Sequence, residues 1–453
     1  MTAGQFAPVD GRGDQHAAVG QTADGWLVVA GVAALGLALL WFAHLALPRR
    51  GLLTSPLDLS VYRDVGLIVR HVRPFYQAGR ASPLYDWPGP PRHLGLTFTY
   101  APFAALPFAV MSRFSLNALG LLFAVADLVA VPSAIWITFG ALGWPRGARR
   151  LGLTLLATAA ALMTEPVLRA INLGQVDIVL MLLVVWDLCQ PDRRWWKGAG
   201  VGLAAGIKLV PLIFIPYLLL TRRFKQAAVA AATFAATVII GFIVLPRDSS
   251  RWWLHGLVIG GSYSGSDKYA GNQSLLAIVA RTGSPAWHTQ WLVAAAVAGA
   301  AGLAVAALLD RAGQRMLGLA ACALTGLLIS PISWDHHWVW IVLAAPVLVH
   351  YALRARGPAR WAWIGLAGLV CALFGAWPTW LWGETPQPLG WPWGLIWAPP
   401  SGDNREVGWH GFQLIVGNAY VLTGLALFVL LLVVTLTTYR NALPSLTRSG
   451  NYR

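Results

Sequence analysis

The chain has 453 residues, of which 57% are hydrophobic and only 11% are charged, and its net charge is +15. Soluble domains carry about 25% charged residues, so the composition excludes an ordinary cytosolic enzyme and a disordered chain, and it predicts an all-α polytopic membrane protein. The basic residues cluster in short loops between apolar runs, which indicates a positive-inside bias and contact with membrane lipids, not binding to nucleic acid.

The apolar runs divide the chain into one large membrane domain and two tails. Residues 1–24 and 438–453 are polar or basic and are predicted to be cytoplasmic tails. Residues 25–437 are predicted to form one domain with about twelve transmembrane helices, because each span needs roughly 20 apolar residues. The predicted spans lie near 26–47, 97–112, 116–139, 150–164, 176–190, 198–219, 227–246, 289–309, 316–330, 338–353, 361–379 and 412–437. The long loops that alternation places on the outer side are about 48–96, 247–288 and 380–411.

Simple alternation of the spans conflicts with the positive-inside bias at two places. It puts the basic clusters at 146–150 and 193–197 on the outer side. The conflict disappears if the runs 97–112 and 198–219 are re-entrant or broken, and both contain residues that favour a break. These residues are Pro102 and Pro107 in the first run and Lys208 and Pro211 in the second.

The first outer loop contains a helical pattern over residues 55–73. Its apolar side chains recur at helical spacing, which predicts an amphipathic helix lying in the membrane interface. Asp58 lies in the first turn, where it can form a capping box with Ser55 or serve as a general base at the membrane surface. The local sequence leaves both roles open, and the helix N-terminus predicts a low pKa for this carboxyl group.

Ionisable residues within apolar segments need an explanation, since each costs about 2.5–3.5 kcal/mol on insertion scales. The segment 165–177 interrupts two apolar runs with acidic, basic and amide side chains. It contains either an internally paired Glu165 and Arg169 at i,i+4 or a functional cluster. Lys208 stands alone among apolar residues, so it either snorkels to the surface or binds an anionic phosphate.

Two adjacent histidines, His336 and His337, lie at the mouth of a predicted span. They are either interfacial residues or hydrogen-bond partners of a phosphate group. Adjacent positions on a helix point about 100° apart, so we do not expect both to chelate one metal ion. The chain also has no Asp-x-Asp pair, and we predict neither a metal site nor a cofactor.

The segment 377–400 combines tryptophans with prolines. Its indole rings either stack on sugar rings or form an aromatic belt at the membrane interface. Trp380 and Trp382 are the candidates for contact with a sugar.

Short polar motifs follow one another in a fixed order along the chain. They are an acidic residue in the first outer loop, Gly174-Gln175-Val176, Ile207-Lys208-x-x-Pro211, Asn272-Gln273-Ser274 and Ser330-Pro331-Ile332-Ser333-Trp334-x-x-His337. In this order and spacing the motifs resemble those of the bacterial GT-C glycosyltransferases of family 87. The resemblance covers nearly the whole chain.

The resemblance implies a GT-C fold and an inverting transfer from polyprenyl-phosphate mannose, or from the arabinose donor of related enzymes, without a metal ion. It implies that Asp58 is the catalytic base and that the acceptor is a phosphatidylinositol mannoside at the outer face of the plasma membrane. The residues expected to bind the donor phosphate are Lys208, Arg169, His336 and His337. The residues expected to bind the substrates' sugars are Tyr62, Arg63, Glu165, Asn172, Gln175, Lys268, Asn272, Gln273, Trp334, Trp380 and Trp382.

A secondary transporter or flippase is the main alternative, since Asp127 and Lys208 lie in apolar runs and could couple an ion. The long outer loops and the lack of an internal sequence repeat favour a transferase. A membrane acyltransferase would need an outer site centred on His or Ser, for which His336 and His337 are the candidates.

Overall fold

The computed structural model describes residues 12–46, 56–71, 98–254, 267–377 and 394–448. Within these ranges the chain is helical, and the extended pairings are limited to the isolated bridges Thr164–Gly375 and Asn272–Trp334. An all-helical chain is what the apolar composition predicts, because a segment in a bilayer has to satisfy its backbone hydrogen bonds internally.

The helices differ widely in length. The α-helices of the first half are α1 (Arg12–Ala46), α2 (Leu57–Arg70), α3 (Ala105–Met111), α4 (Leu116–Ala141), α5 (Ala148–Leu162), α6 (Glu165–Leu173), α7 (Asp177–Leu188), α8 (Ala199–Ile207) and α9 (Phe214–Leu220). Those of the second half are α10 (Phe224–Val244), α11 (Pro246–Leu254), α12 (Leu275–Arg281), α13 (Trp287–Arg311), α14 (Arg315–Ile329), α15 (Ala344–Arg354), α16 (Pro358–Phe374), α17 (Phe412–Gly417) and α18 (Ala419–Arg448). The 3₁₀ segments are Pro102–Ala104, Val210–Ile213, Asp335–Leu343, Leu395–Trp397 and Arg405–Gly408.

The helical segments confirm a polytopic membrane protein but not the expected number of spans. In the described residues, six are long and apolar enough to cross a membrane, and the bent pair α6–α7 is a possible seventh. These six are Asp24–His44, Leu116–Ala141, Phe224–Val244, Trp287–Arg311, Asp335–Arg354 and Ala419–Leu436. Several other predicted runs form apolar helices of only 10–17 residues, because prolines, glycines and polar residues interrupt them.

Contacts between distant residues define one end of the bundle, which we call the basic end. The pairs that meet there are Asp24 with Arg149, Trp144 with His350, Asp192 with Arg223 and Arg315, and Leu220 with Arg311. The basic clusters at 146–150 and 193–197 therefore lie at the end where the first span begins. The arrangement removes the conflict with the positive-inside bias.

Both runs that this bias predicts to be re-entrant or broken are interrupted in the structure. The first forms the turn Pro102–Ala104 and the short helix α3, whose apolar side chains pack with those of α2. In the second, α8 starts after Gly198 at the basic end and stops before Lys208. α9 then returns to the basic end at Leu220. The chain thus enters and leaves the bundle at the same end between these points.

α2 lies within the segment predicted to be an amphipathic helix. It begins at Leu57 and ends at Arg70, and its apolar face is buried against Phe98 and Phe108. A Cβ atom at position 66 would lie 2.2 Å from the Phe108 carbonyl oxygen, so Gly66 allows α2 and α3 to approach closely. This packing fixes the position of α2, whereas its location in the membrane interface stays a prediction.

Candidate functional site

The candidate site lies at the end of the bundle opposite the basic end. It is built from α2, the bend between α6 and α7, the break after α8 and the 3₁₀ segment Asp335–Leu343. α6 and α7 meet at an angle of 115°. Their bend brings the polar residues of 165–177 to the same place as Lys208 and His337.

The bend depends on Gly174. This residue ends α6 in the left-handed conformation, with φ of +68°, which glycine adopts without strain. A Cβ atom here would lie 2.6 Å from the Cβ atom of Leu59, so the glycine also lets α2 approach the bend. As a result the next residue, Gln175, reaches the start of α2.

The Gln175 amide connects Asp58 to two tyrosines. Its Nε2 donates to Oδ2 of Asp58. Its Oε1 accepts from the hydroxyls of Tyr62 at 2.7 Å and Tyr100 at 3.0 Å. Burial raises the pKa of both phenols well above the usual value, so both tyrosines stay protonated donors. The network fixes which amide atom faces Asp58 and therefore holds the carboxylate in one orientation.

Asp58 is partly accessible, although protein surrounds it on most sides. Burial raises the pKa of the Asp58 carboxyl group, and this effect exceeds the lowering by His336, Gln175, Arg169 and Lys208. The predicted low pKa is therefore wrong, because the loss of water outweighs the favourable charges. The predicted capping partner of Asp58 lies outside the described residues.

Lys208 does not snorkel to the surface. It is buried where α8 ends, and its Nζ donates to Oδ1 of Asp177 at 2.6 Å. The same Nζ lies 2.8 Å from Nε2 of His337 and 5.4 Å from the centre of the Tyr100 ring. The break between α8 and α9 thus supplies a cation deep in the protein, paired with a carboxylate from the bend.

Arg169 pairs with Asp335 and not with Glu165, its i,i+4 neighbour. Its Nε lies 3.3 Å from Oδ2 of Asp335. The other carboxylate oxygen of Asp335 accepts from the backbone N–H of His336 at 2.8 Å and lies 3.0 Å from its Nδ1. Glu165 instead accepts from Nε1 of Trp397 at 3.1 Å and from the Tyr420 hydroxyl at 2.8 Å. These bonds occupy both carboxylate oxygens of Glu165.

The Asn272-Gln273-Ser274 motif is bonded to the backbone. The Asn272 Nδ2 donates to the Pro331 carbonyl, and its Oδ1 accepts from the backbone N–H of Ser333. The Gln273 Nε2 donates to the carbonyls of Ala270 and Gly417. Both side chains are fully buried. The geometry gives them the role of a brace that joins the loop before α12 to the segment carrying the histidines.

A buried arginine strengthens this brace. The guanidinium of Arg281 donates to the carbonyls of Lys268, Tyr269 and Asn272 at 2.6–2.9 Å. It also donates to the side-chain oxygen of Asn418 at the start of α18. Lys268 therefore contributes its backbone to the brace, while its side chain is half-buried.

Several buried polar atoms at the site have no hydrogen-bond partner within the described part of the chain. They are Nη1 of Arg169, Oδ2 of Asp177, Nε2 of His336 and Nδ1 of His337. The Ile332 carbonyl lies near the His337 ring, but the two groups do not form a hydrogen bond of normal geometry. Because buried polar groups nearly always have partners, these atoms make the cluster a candidate place for a ligand.

The remaining predicted residues lie at varying distances from this cluster. Asn172 and Trp334 are half-buried, and Trp334 makes an edge contact with Tyr269. The Arg63 Nε donates to the Phe114 carbonyl at 2.9 Å. The predicted sugar contacts Trp380 and Trp382 lie outside the described residues.

Sequence reasoning missed four residues at the site, among those the structure describes. Asp177 and Asp335 neutralise Lys208 and Arg169, and Tyr100 and Trp397 complete the hydrogen bonds of Gln175 and Glu165. A signal for the two acids was present, because a buried cation in a membrane protein requires a counter-ion. Tyr100 and Trp397 gave no such signal, since one aromatic residue among many carries no pairing information.

A polar cavity and an apolar one adjoin at the site. The first, called the polar cavity because Asp177, Lys208 and His337 line it, has a volume of about 30 Å³, and its other lining residues are apolar. The apolar cavity has a volume of about 120 Å³ and lies between α14, α15, α16, α18 and the 3₁₀ segment at 335–343. Ala323, Leu327 and Trp340 line both cavities. A ligand with a polar head and an apolar tail could therefore occupy both.

The chain is similar in sequence to known proteins of one family. The family model of glycosyltransferase family 87 matches residues 98–331. The chain is 34% identical over 351 residues to the polyprenol-phosphate-mannose-dependent alpha-(1-2)-phosphatidylinositol pentamannoside mannosyltransferase of Mycobacterium tuberculosis, covering 75% of this chain and 77% of that protein. It is 33% identical over 330 residues to the polyprenol-phosphate-mannose-dependent alpha-(1-2)-phosphatidylinositol mannoside mannosyltransferase of Mycobacterium tuberculosis, covering 69% and 74%. No solved structure matches. The resemblance of the motifs is confirmed, and the chain belongs to glycosyltransferase family 87.

Proposed function

We propose that this protein transfers mannose from polyprenyl-phosphate mannose to the 2-hydroxyl of a mannosyl residue on a phosphatidylinositol mannoside, forming an α-(1→2) bond. The named activities of the relatives support this donor and acceptor, and they favour mannose over arabinose. The observation that carries the proposal is that an oriented, partly accessible carboxylate, Asp58, lies close to the buried cations Arg169 and Lys208. Nη1 of Arg169 has no hydrogen-bond partner among the described residues.

Asp58 is the proposed general base. Its carboxylate takes the proton from the acceptor 2-hydroxyl as that oxygen attacks C1 of the donor mannose. Attack from the face opposite the β-linked phosphate inverts the configuration and gives an α-linked product. The hydrogen bond from Gln175, which holds the carboxylate in one orientation, supports this role. The raised pKa of Asp58 also makes it a stronger base than an exposed aspartate.

The leaving polyprenyl phosphate gains negative charge as the glycosidic bond breaks, and it needs donors aimed at it. Arg169, Lys208, His336 and His337 are the proposed partners. The free Nη1 of Arg169 and Nε2 of His336 support this assignment, because both are buried and unpartnered within the described residues. The carboxylates that pair with the two cations hold them in place when substrate is absent.

The sugars have fewer candidate contacts than the sequence suggests. Asn172 is proposed to bind a sugar hydroxyl, because it is half-buried in the bend beside Gln175. Asn272 and Gln273 are proposed to position the histidines, since their amides are already bonded to the backbone. Tyr62 and Glu165 are also engaged within the protein. Arg63, Lys268, Trp334, Trp380 and Trp382 stay proposed contacts of the substrates' sugars.

The polyprenyl chain is proposed to occupy the apolar cavity. Its continuity with the polar cavity through Trp340 supports this, because the phosphate and the lipid chain of the donor are covalently joined. We expect Ala320→Trp, which fills the apolar cavity, to raise KM for a long-chain donor about tenfold, since loss of about 1.4 kcal/mol of apolar contact is a factor of ten. The control Ala362→Trp places the same side chain on the exposed surface of α16. A short, water-soluble donor analogue should show no increase in KM, and an equal increase for both donors would contradict this location.

The site is proposed to face the outer side of the plasma membrane, with both tails in the cytoplasm. The separation of the basic clusters from the site along the bundle supports this orientation, since basic loops stay cytoplasmic. A lipid-linked donor fits an outer site, because nucleotide sugars are cytoplasmic. The reaction is proposed to need no metal ion, in keeping with the lack of an Asp-x-Asp pair.

The pH dependence of kcat/KM should report on Asp58. A base works only when ionised, so activity falls as the pH drops through its pKa, and a raised pKa puts this fall at a higher pH than an exposed aspartate would. Gln175→Leu removes a bond that stabilises the carboxylate and should move the acidic limb to still higher pH. Gln226→Leu removes a buried amide at the basic end and should leave the limb in place. A limb that does not move in Gln175→Leu would argue against Asp58 as the titrating base.

The direct test uses the purified full-length protein with polyprenyl-phosphate mannose and a tetramannosylated phosphatidylinositol. We expect a product that is one hexose heavier and that an α-(1→2)-mannosidase shortens again. Omission of the lipid-linked donor serves as the control. Movement of glycolipid between leaflets without a new glycosidic bond would overturn the proposal in favour of a transporter.

A further inference from the structure

We propose that the site also binds a Zn²⁺ ion through Asp177, His336 and His337, and that zinc inhibits the transferase by competing with the donor phosphate. The inhibition rests on the proposed function, whereas the zinc site itself does not. Asp177 comes from the bend between α6 and α7, and the two histidines come from the 3₁₀ segment. All three residues are more than nine-tenths buried.

The three side chains converge, which the sequence did not predict for the adjacent histidines. One ligand atom from each residue lies within 4.8 Å of the others. A metal ion at the centre of such a triangle lies at most about 2.8 Å from each atom, so a shift of no more than about 0.7 Å per ligand gives the usual zinc–nitrogen distance of about 2.1 Å. The centres of the two imidazole rings are only 4.8 Å apart, at an interplanar angle of 84°. Rotamer choice on a 3₁₀ segment overcomes the divergence expected for neighbouring positions.

Each of the three residues retains one ligand atom for a metal. Nδ1 of His336 contacts Asp335, which leaves Nε2, and Nε2 of His337 contacts Lys208, which leaves Nδ1. Oδ1 of Asp177 accepts from Lys208, which leaves Oδ2. These three remaining atoms are buried and have no hydrogen-bond partner among the described residues. A cation bound by these three atoms, once the side chains rotate to aim them at one point, would satisfy all three at once.

The surroundings of His336 match those of a metal ligand. A histidine that binds a metal usually gives its other ring N–H to a carboxylate, which fixes the tautomer and strengthens the ligand. Nδ1 of His336 lies 3.0 Å from Oδ1 of Asp335, and Arg169 holds the other oxygen of that carboxylate. When His336 is neutral, Nδ1 keeps the proton in this contact and the lone pair is on Nε2, as coordination requires; when His336 is protonated, Nε2 is instead a donor to phosphate.

Lys208 and Arg169 are cations and oppose a metal ion, but each has its own carboxylate. Lys208 pairs with Asp177 at 2.6 Å and Arg169 with Asp335 at 3.3 Å. The nearby carboxylate of Asp58 adds a negative charge when ionised, so the charges of these five groups sum to −1. A divalent cation therefore enters an environment that is not repulsive overall.

Zinc on Nδ1 of His337 excludes the contact between His337 and Lys208. The imidazole then carries its proton on Nε2, the atom that now lies 2.8 Å from the Lys208 ammonium. Two donors cannot share a hydrogen bond, so Lys208 has to leave His337 and keep its bond to Asp177. The metal therefore displaces a group that is proposed to bind phosphate.

The chemistry of the ligands selects the metal and the mode of inhibition. Two imidazole nitrogens and one carboxylate oxygen suit Zn²⁺, whereas Mg²⁺ and Ca²⁺ prefer oxygen ligands alone. Lys208 and His337 line the polar cavity in which the donor phosphate is proposed to bind, so the metal and the phosphate compete for the same groups. Zinc also consumes the free nitrogens of both histidines, which the phosphate needs.

Binding is tested on the full-length protein in detergent. The protein is first freed of metal with a chelator and then dialysed against Zn²⁺. We expect one Zn²⁺ per chain by elemental analysis, and a visible absorption spectrum of a four- or five-coordinate ion when Co²⁺ is added instead. His336→Gln should lower zinc affinity by at least about tenfold, since losing even a supporting contact costs 10–100-fold. The control His350→Gln removes a buried histidine at the basic end and should bind zinc normally. Failure of the wild-type protein to bind either ion would overturn the site, as would normal affinity in a folded His336→Gln variant.

The inhibition is tested by the transfer assay at increasing donor concentration. We expect added Zn²⁺ to raise KM for the donor without changing kcat, and chelation to restore the rate fully. If chelation abolishes transfer, the metal is a cofactor and the competitive role is wrong. If zinc binds as described but no mannose is transferred, the proposed function fails while the zinc site stands. If transfer proceeds but zinc neither binds nor inhibits, only the zinc proposal fails.

Discussion

Replacing Asp58 by Asn is expected to lower the rate of mannosyl transfer by about 10²–10⁴-fold, the usual contribution of a general base. The amide is nearly isosteric and cannot accept the proton of the acceptor hydroxyl. KM for the donor should change little, because Asp58 is not among the groups proposed to hold the phosphate. The measurement is kcat and KM with the purified variant, at a pH above the acidic limb of the wild-type protein.

Asp64→Asn is the matched control, since it makes the same change on the same helix. Asp64 lies 4.0 Å from Arg63 and is partly exposed, so its loss should cost little activity. Both variants should give the elution profile and unfolding midpoint of the wild-type protein. An unchanged rate in Asp58→Asn would remove this residue from the mechanism.

Replacing Arg169 by Met is expected to lower kcat by about 10²–10³-fold, comparable to the loss of one preorganised donor in other enzymes. It should also destabilise the protein by about 3–5 kcal/mol, because Asp335 is left as a buried charge without its partner. The double variant Arg169→Met with Asp335→Asn should recover much of the stability and little of the activity. Thermal unfolding and kcat, measured on the same preparations, separate the two effects.

Arg150→Met serves as the control for loss of a buried arginine. Arg150 is 8% exposed, donates to the carbonyls of Trp136 and Trp144, and lies at the basic end. Its loss should lower the unfolding midpoint and leave kcat per folded molecule unchanged. If the double variant at Arg169 recovers activity together with stability, Arg169 has a structural role and does not stabilise the leaving group.

Local sequence was sufficient for features that depend on one segment. The helical spacing predicted α2, and the prolines and Lys208 predicted the breaks that bring both basic clusters to one end. The predicted number of spans is not confirmed, because a window of apolar residues does not distinguish a complete span from a short helix that turns back. α8 and α9 illustrate the point, since they form one apolar run but enter and leave at the same end.

The partners of the site residues could not be predicted, since they depend on the tertiary structure. Gln175 bonds to Asp58, 117 positions earlier in the chain, and Arg169 pairs with Asp335, 166 positions later. The same limit explains Asn272, which was expected to bind sugar. A polar side chain in an outer loop can bond equally well to substrate or to backbone, and only its burial shows that the backbone is its partner.

The site residues are widely spaced along the chain, so a match to the family model does not by itself show that a chain has all of them. The segment matched by the family model, 98–331, contains Gln175 and Lys208 but neither Asp58 nor His336. A homologue can therefore keep the entire matched segment and still lack the proposed base and a proposed phosphate contact. Such chains would be pseudoenzymes, recognisable by what stands at the positions equivalent to 58 and 336. These two positions form a simple test for sorting the active members of the family from those that have only its scaffold.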